Sequence, residues 1–141
     1  MQRLFLDANV LVSVLNKEYP LFTLSSRVLS LASNPKFAVY TSPLCLAIAF
    51  YFAEKKHGTI LAKKKIELLC RHLKMADNLG EGVIETLRNK KINDFENGLE
   101  YYAAVKSKCN FIITEDQDDF YFSEIKVFNC KDFFEQHLMK K

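Results

Sequence analysis

Two rhythms of apolar residues alternate along the chain. Leu4-Phe5-Leu6, Ala38-Val39-Tyr40 and Phe111-Ile112-Ile113 are short unbroken apolar runs, the pattern of strands buried on both faces. They predict strands over 2–6, 37–40 and 111–114, and a fourth is expected over 126–129. Between them apolar residues recur at helical spacing. Val10, Leu11, Val14 and Leu15 predict a helix over 10–16. Leu21, Leu24, Val28, Leu29 and Leu31 predict another after Pro20, broken at Asn34-Pro35. Ser42 as N-cap and Pro43 at the first helical position open a helix that runs from 44 to about 56 and ends at Gly58. Thr59 is expected to cap the next, which carries Ile60, Leu61, Ile66, Leu68, Leu69, Leu73 and Met75. Residues 78–82 read as loop or weak strand and 82–90 as a short helix. Asp94 is placed to cap a helix holding Phe95, Leu99, Tyr102, Ala103 and Val105, and 132–138 reads as a closing helix. Strands alternating with helices predict an α/β fold, a three-layer α/β/α sandwich around a short, mostly parallel sheet.

Length and composition narrow this picture only slightly. The 141 residues fit one domain over 1–141 with a sizeable core. A net charge of +3 permits a nucleic-acid partner without arguing for one. The longest uncharged apolar run, 44–53, is far below the ~20 residues that span a bilayer, so no membrane association is expected and the cytoplasm is the expected compartment. Cys45, Cys70, Cys109 and Cys130 contain no CxxC pair and read as reduced, buried thiols, which makes a zinc site an unattractive expectation.

The candidate chemistry lies at two strand ends. Asp7 closes the first strand and Asp116 follows the strand over 111–114. In an open parallel sheet, ligands collect beyond the carboxyl ends of the strands. Two carboxylates delivered there from distant parts of the chain repel one another unless a cation lies between them, and hard divalent ions with oxygen ligands suit that role.

Four segments then carry a resemblance. Leu6-Asp7-Ala8-Asn9-Val10-Leu11 resembles the opening of a PIN domain, and Thr41-Ser42-Pro43 before an apolar helix resembles its second motif. Asp94-Phe95-Glu96-Asn97-Gly98-Leu99 resembles the third, and Ile113-Thr114-Glu115-Asp116 with Asp119-Phe120 resembles the fourth. Together they cover nearly the whole chain in the family's order. The bacterial relatives most resembled are toxin subunits of VapBC-type toxin–antitoxin pairs. The resemblance implies a Mg2+- or Mn2+-dependent endoribonuclease, with RNA as substrate, an antitoxin protein as partner and a homodimer as assembly. It implies Asp7, Asp116 and Asn97 as metal contacts and Asp94 as a further catalytic carboxylate. Asn9, Ser42, Thr114 and Asp119 would orient or support those groups by hydrogen bonding.

The chain departs from the family pattern at two acidic positions. Six residues after Ser42 the family usually places Glu, and here stands Ile48. The third-motif ligand is usually Asp, and here it is Asn97, whose amide oxygen brings no charge. A weakened metal site is expected, and a degenerate PIN domain that binds RNA or protein without cutting is the alternative. Glu54 lies about 9 Å further along the helix from Ile48, so it is a poor substitute. Glu115 stands where relatives often carry a basic residue and is expected to face solvent. Other aspartate-at-strand-end folds fit worse. A haloacid-dehalogenase-type phosphatase needs Asp where Asn9 stands, and a phospho-receiver needs an early acidic pair that is missing.

Lys55, Lys56, His57, Lys63, Lys64, Lys65, Arg71, His72 and Lys74 could track phosphates or simply solvate helix faces. The three histidines, at 57, 72 and 137, show no acid–base pairing. Phe120-Tyr121-Phe122 could stack on bases, though packing of the loop is the favoured reading.

Overall fold

A computed structural model describes residues 1–138. Five strands form one sheet: β1 (Gln2–Leu6), β2 (Phe37–Thr41), β3 (Lys74–Met75), β4 (Phe111–Ile113) and β5 (Lys126–Phe128). Their order is β3-β2-β1-β4-β5 and every pairing is parallel. Among the described residues, seven α-helices accompany them: α1 (Ala8–Leu15), α2 (Phe22–Ser30), α3 (Pro43–His57), α4 (Thr59–Cys70), α5 (Gly80–Arg88), α6 (Phe95–Lys106) and α7 (Cys130–Phe133). Leu4, Phe5 and Leu6 are consecutive and fully buried. Side chains alternate faces along a strand, so this run requires helices on both sides of the sheet. The expected α/β/α sandwich is therefore the observed one.

The topology positions the site. After β1 the chain moves outward through β2 and β3, then returns to the other side of β1 for β4 and β5. The order reverses between β1 and β4, and at such a switch point the connections leaving the strand ends diverge and open a crevice. Leu6 pairs with Ile113, so Asp7 and Thr114 emerge side by side.

Several elements differ from the local reading. The first helix starts at Ala8, with Asp7 itself as N-cap. The N-cap of α4 is Gly58; Thr59 is already helical and donates from Oγ1 to Glu54 Oε2 at 2.7 Å. Leu73 and Met75 do not continue α4. Lys74 and Met75 pair instead with Tyr40 and Thr41 of β2, and Ala76 N donates to Thr41 O at 2.7 Å. Backbone groups along β2 need partners, and that demand outweighs helical periodicity over two residues. The segment 78–82 forms no strand, and the helix expected over 82–90 starts within it, at Gly80, and ends at Arg88. The closing helix starts at Cys130, capped by Asn129, and widens to π geometry over Phe134–Leu138.

Gly98 sits where α6 crosses α5. A Cβ there would lie 2.3 Å from Thr86 Cγ2 and 3.0 Å from Ile92 Cγ2. Thr86 is buried and its Oγ1 donates to Gly82 O at 2.7 Å, so it cannot rotate away freely. Gly98→Ala is expected to destabilise the chain by about 1–3 kcal/mol, read as a lowered midpoint in urea denaturation. An unchanged midpoint would mean that the two helices separate without cost.

Candidate functional site

Asp7 leaves β1 with its backbone N–H donating to Ile113 O at 3.0 Å, which locks it to the end of β4. Its Oδ1 accepts from Ala8 N at 2.6 Å, capping α1, and its Oδ2 accepts from Thr114 Oγ1 at 2.7 Å. The Thr114 hydroxyl in turn accepts from Asp116 N at 3.0 Å and from Asn9 Nδ2 at 3.1 Å. A hydroxyl has one proton to give and two lone pairs, so Thr114 is saturated and its orientation is fixed.

Asn9 bridges the two acidic positions. Its Oδ1 accepts from Glu115 N at 3.2 Å, which turns Nδ2 toward the carboxylates. Nδ2 reaches Asp116 Oδ2 at 3.1 Å and Asp7 Oδ2 at 3.4 Å. Two carboxylates from opposite ends of the chain, at positions 7 and 116, thus share one amide donor. This is the convergence expected from the two strand ends.

The wall opposite comes from α6 and α3. Asp94 caps α6 through Oδ1, which accepts from Asn97 N at 3.0 Å, and its other oxygen is not used in the cap. Asp94, Asn97, Asp119 and Ile48 all line the same cavity of about 460 Å³ as Asp7, Asn9 and Asp116. Glu18, Glu96 and Glu100 complete its acidic groups, so it is lined by seven carboxyl side chains and, among the described residues, by no lysine or arginine. The crowding registers on Asp119. Its carboxyl is pushed up by partial desolvation, then by the charges of Asp116, Asp94, Asp7 and Asp118.

Ser42 lies outside this lining. It is fully buried, and its Oγ accepts from Cys45 N at 3.2 Å. Ser42→Ala is expected to cost about 1 kcal/mol of stability through the lost cap, measured by thermal melting. An unchanged melting temperature would show that the cap contributes nothing.

Glu54 is occupied at the far end of α3, where it accepts from Thr59, and it does not line the cavity. Glu115 is exposed as expected, yet its Oε2 accepts from Cys130 N at 2.9 Å and holds the start of α7. Phe120 is buried and Phe122 packs on Tyr101, with ring centroids 5.2 Å apart. Tyr121 is exposed, with its hydroxyl hydrogen-bonded to Lys91 O and Asn93 Nδ2. Lys56 Nζ donates to Asn16 O at 2.6 Å, and Arg71 pairs with Glu67 at 3.7 Å.

Sequence reasoning missed Glu100. This residue is only 2 % exposed and lies against Asp7 and Cys45. Burial, followed by hydrogen bonding to Asp7 and the charge on Asp7, pushes its carboxyl up to about 11. Glu100 therefore carries a proton at neutral pH. A signal was available. Glu100 lies one helical turn beyond Asn97 and falls on the buried stripe of α6 with Tyr101, Ala103 and Ala104, where a carboxylate needs a reason to be.

The donor set suits a divalent metal. Convergent carboxylates, an amide oxygen at Asn97 and the absence of a balancing cation among the cavity's described residues are what a hard ion with oxygen ligands requires. No helix among the described residues is long and apolar enough to cross a membrane.

Comparison with known proteins agrees with this geometry. A sequence model of the PIN domain matches residues 3–118. Ribonuclease VapC1 of Aquifex aeolicus (strain VF5) is 24% identical over 138 residues, covering 96% of this chain and 95% of that protein. Among solved structures, VapBC2 from Rickettsia felis, bound to a DNA fragment from its promoter, superposes with a TM-score of 0.67 at 17% identity, over 91% of this chain and 98% of the other. Mycobacterium tuberculosis VapC20, a toxin that cleaves the sarcin–ricin loop, gives 0.61 at 14% identity, over 77% and 86%.

Proposed function

Because the chain belongs to the PIN domain family, we propose that it is a metal-dependent endoribonuclease of the toxin type, acting at the acidic cavity beyond β1 and β4. One observation carries this reading: Asp7 and Asp116 are drawn together through Asn9 in a cavity of carboxyl groups. Asp7 and Asp116 would hold Mg2+ or Mn2+, with Asn97 offering its amide oxygen and Asp94 and Asp119 adding negative charge nearby. A bound ion supplies Lewis-acid polarisation of the phosphodiester and makes water a competent nucleophile.

The chain's own residues do the rest. Thr114 and Ala8 N hold the Asp7 carboxylate in one orientation. Asn9 spaces Asp7 from Asp116. Asp119, whose carboxyl is pushed toward the protonated form, lines the same cavity and would support the metal-holding carboxylates from there. RNA would enter from the open side of the cavity.

An antitoxin partner and a homodimer belong to the same toxin-type reading, which the likeness to VapBC2 supports. Three buried free thiols, Cys45, Cys109 and Cys130, favour a reducing compartment such as the cytoplasm. One domain over 1–141 is part of the same reading, supported by the one core that the sheet and its helices share among the described residues.

The loss of two acidic positions, at Ile48 and Asn97, favours a second reading, a PIN domain that binds RNA or protein without cutting it. Cleavage of a fluorogenic single-stranded RNA in Mn2+, compared with Asp116→Asn, separates the two. Cleavage lost in the variant supports the nuclease. No cleavage by either chain supports the binding module.

A further inference from the structure

Both departures from the family pattern are offset by one helical turn. Cys45 lies three residues before Ile48 on α3, and Glu100 lies three residues after Asn97 on α6. Positions three apart share a helix face, so each side chain points the same way as the missing ligand but from a different level. Ile48 and Asn97 are half-buried, whereas Cys45 is 0% and Glu100 2% exposed. The donor atoms of Asp7, Cys45 and Glu100 all lie within 4.8 Å of one another.

Glu100 Oε1 is buried and has no hydrogen-bond partner. An unsatisfied buried oxygen is costly, and here it adjoins a second carboxyl and a thiol at the floor of an acidic cavity. We propose that Asp7, Cys45 and Glu100 form a binding seat for a thiophilic divalent ion of the zinc or cobalt class, with Cys45 and Glu100 each one helical turn from the positions held by Ile48 and Asn97. The inference deepens the proposed nuclease reading, because Asp7 belongs to both sites.

Chemistry selects the ion class. Magnesium takes oxygen ligands in octahedral geometry, whereas one sulfur and two carboxylate oxygens suit zinc or cobalt. Bonds of about 2.0–2.3 Å place neighbouring ligands roughly 3.5 Å apart, so the three donors must draw in by about 1 Å. The Cys45 thiol and the Glu100 carboxyl release their protons to solvent as the sulfur–metal and oxygen–metal bonds form. An ion in this seat would compete with magnesium or manganese for Asp7.

The test is a titration of the metal-free chain with Co2+, read as thiolate-to-cobalt absorption in the near ultraviolet. The band is expected in the wild type and in Asp116→Asn. It should be absent in Cys45→Ser, and Glu100→Gln should weaken Co2+ binding by at least about tenfold. No band in the wild type, or a band that survives in Cys45→Ser, overturns the seat. If Cys45→Ser fails to fold, the cadmium-113 resonance of the wild-type chain decides, because a sulfur donor moves it away from the all-oxygen range and an all-oxygen shift overturns the proposal. Mn2+-supported RNA cleavage is measured separately. Its failure with the cobalt band present rejects the nuclease and keeps the seat.

Discussion

Exchange of Asp7 for asparagine is expected to lower Mn2+-supported RNA cleavage by about a thousandfold while the chain stays folded. Asp7 serves both as helix cap and as a charged group of the cavity. Asparagine retains an oxygen that can accept from Ala8 N, so the cap on α1 survives. The amide cannot supply negative charge, and its NH2 meets the Thr114 hydroxyl and the Asn9 amide where Asp7 Oδ2 now accepts at 2.7 and 3.4 Å. Electrostatic stabilisation by a bound metal amounts to several kcal/mol. Losing about 4 kcal/mol of it is roughly a thousandfold in rate. The measurement is initial cleavage rate at saturating Mn2+, with circular dichroism to verify the fold. A variant that retains activity within about tenfold would remove Asp7 from the chemistry and leave it as a cap.

Replacing Glu100 with glutamine is expected to stabilise the metal-free chain at neutral pH and to flatten its stability profile. The folded chain holds the Glu100 proton up to about 11, whereas an unfolded Glu releases it near pH 4.3. Between those limits the folded state binds more protons than the unfolded one. Stability therefore falls as pH rises, and the contribution is fully present only below the unfolded value. From pH 5 to pH 7.5 the slope of 1.36 kcal/mol per unit amounts to a loss on the order of 3 kcal/mol. Glutamine cannot ionise, and its amide can still donate toward Asp7, so it escapes this loss. At roughly 3 °C per kcal/mol for a chain of this size, the variant should melt about 10 °C higher at pH 7.5 and nearly level with the wild type at pH 5. Equal melting temperatures at both pH values would show that Glu100 is solvated and ionised in the folded chain. A buried carboxyl kept at this cost is the kind of residue that function retains and stability alone would replace.

Much of this molecule was legible in local pattern. The apolar runs at 4–6 and 111–113 identified β1 and β4, because a strand buried on both faces cannot tolerate polar alternation. Ser42-Pro43 and Asp94 marked the starts of α3 and α6, because capping depends on a side-chain oxygen and one turn of backbone. The positions of Asp7 and Asp116 followed from strand ends alone. Less legible were elements whose existence depends on a distant partner. Lys74–Met75 is a strand only because β2 offers it backbone groups to bond.

By itself, then, the sequence determined the α/β alternation, the capped starts of α3 and α6 and the two aspartates just beyond strand ends, because each depends on interactions within a turn or a short run of residues. Tertiary structure decided what surrounds those aspartates. The register of β1 against β4 set Asn9 between Asp7 and Asp116. The packing of α3 and α6 beside β1 brought Cys45 and Glu100 against Asp7. Those contacts join residues 38, 55 and 93 positions apart, and no local periodicity encodes which helix face meets which strand end. Burial then made Glu100 a protonated acid, a property that belongs to its surroundings and not to its identity.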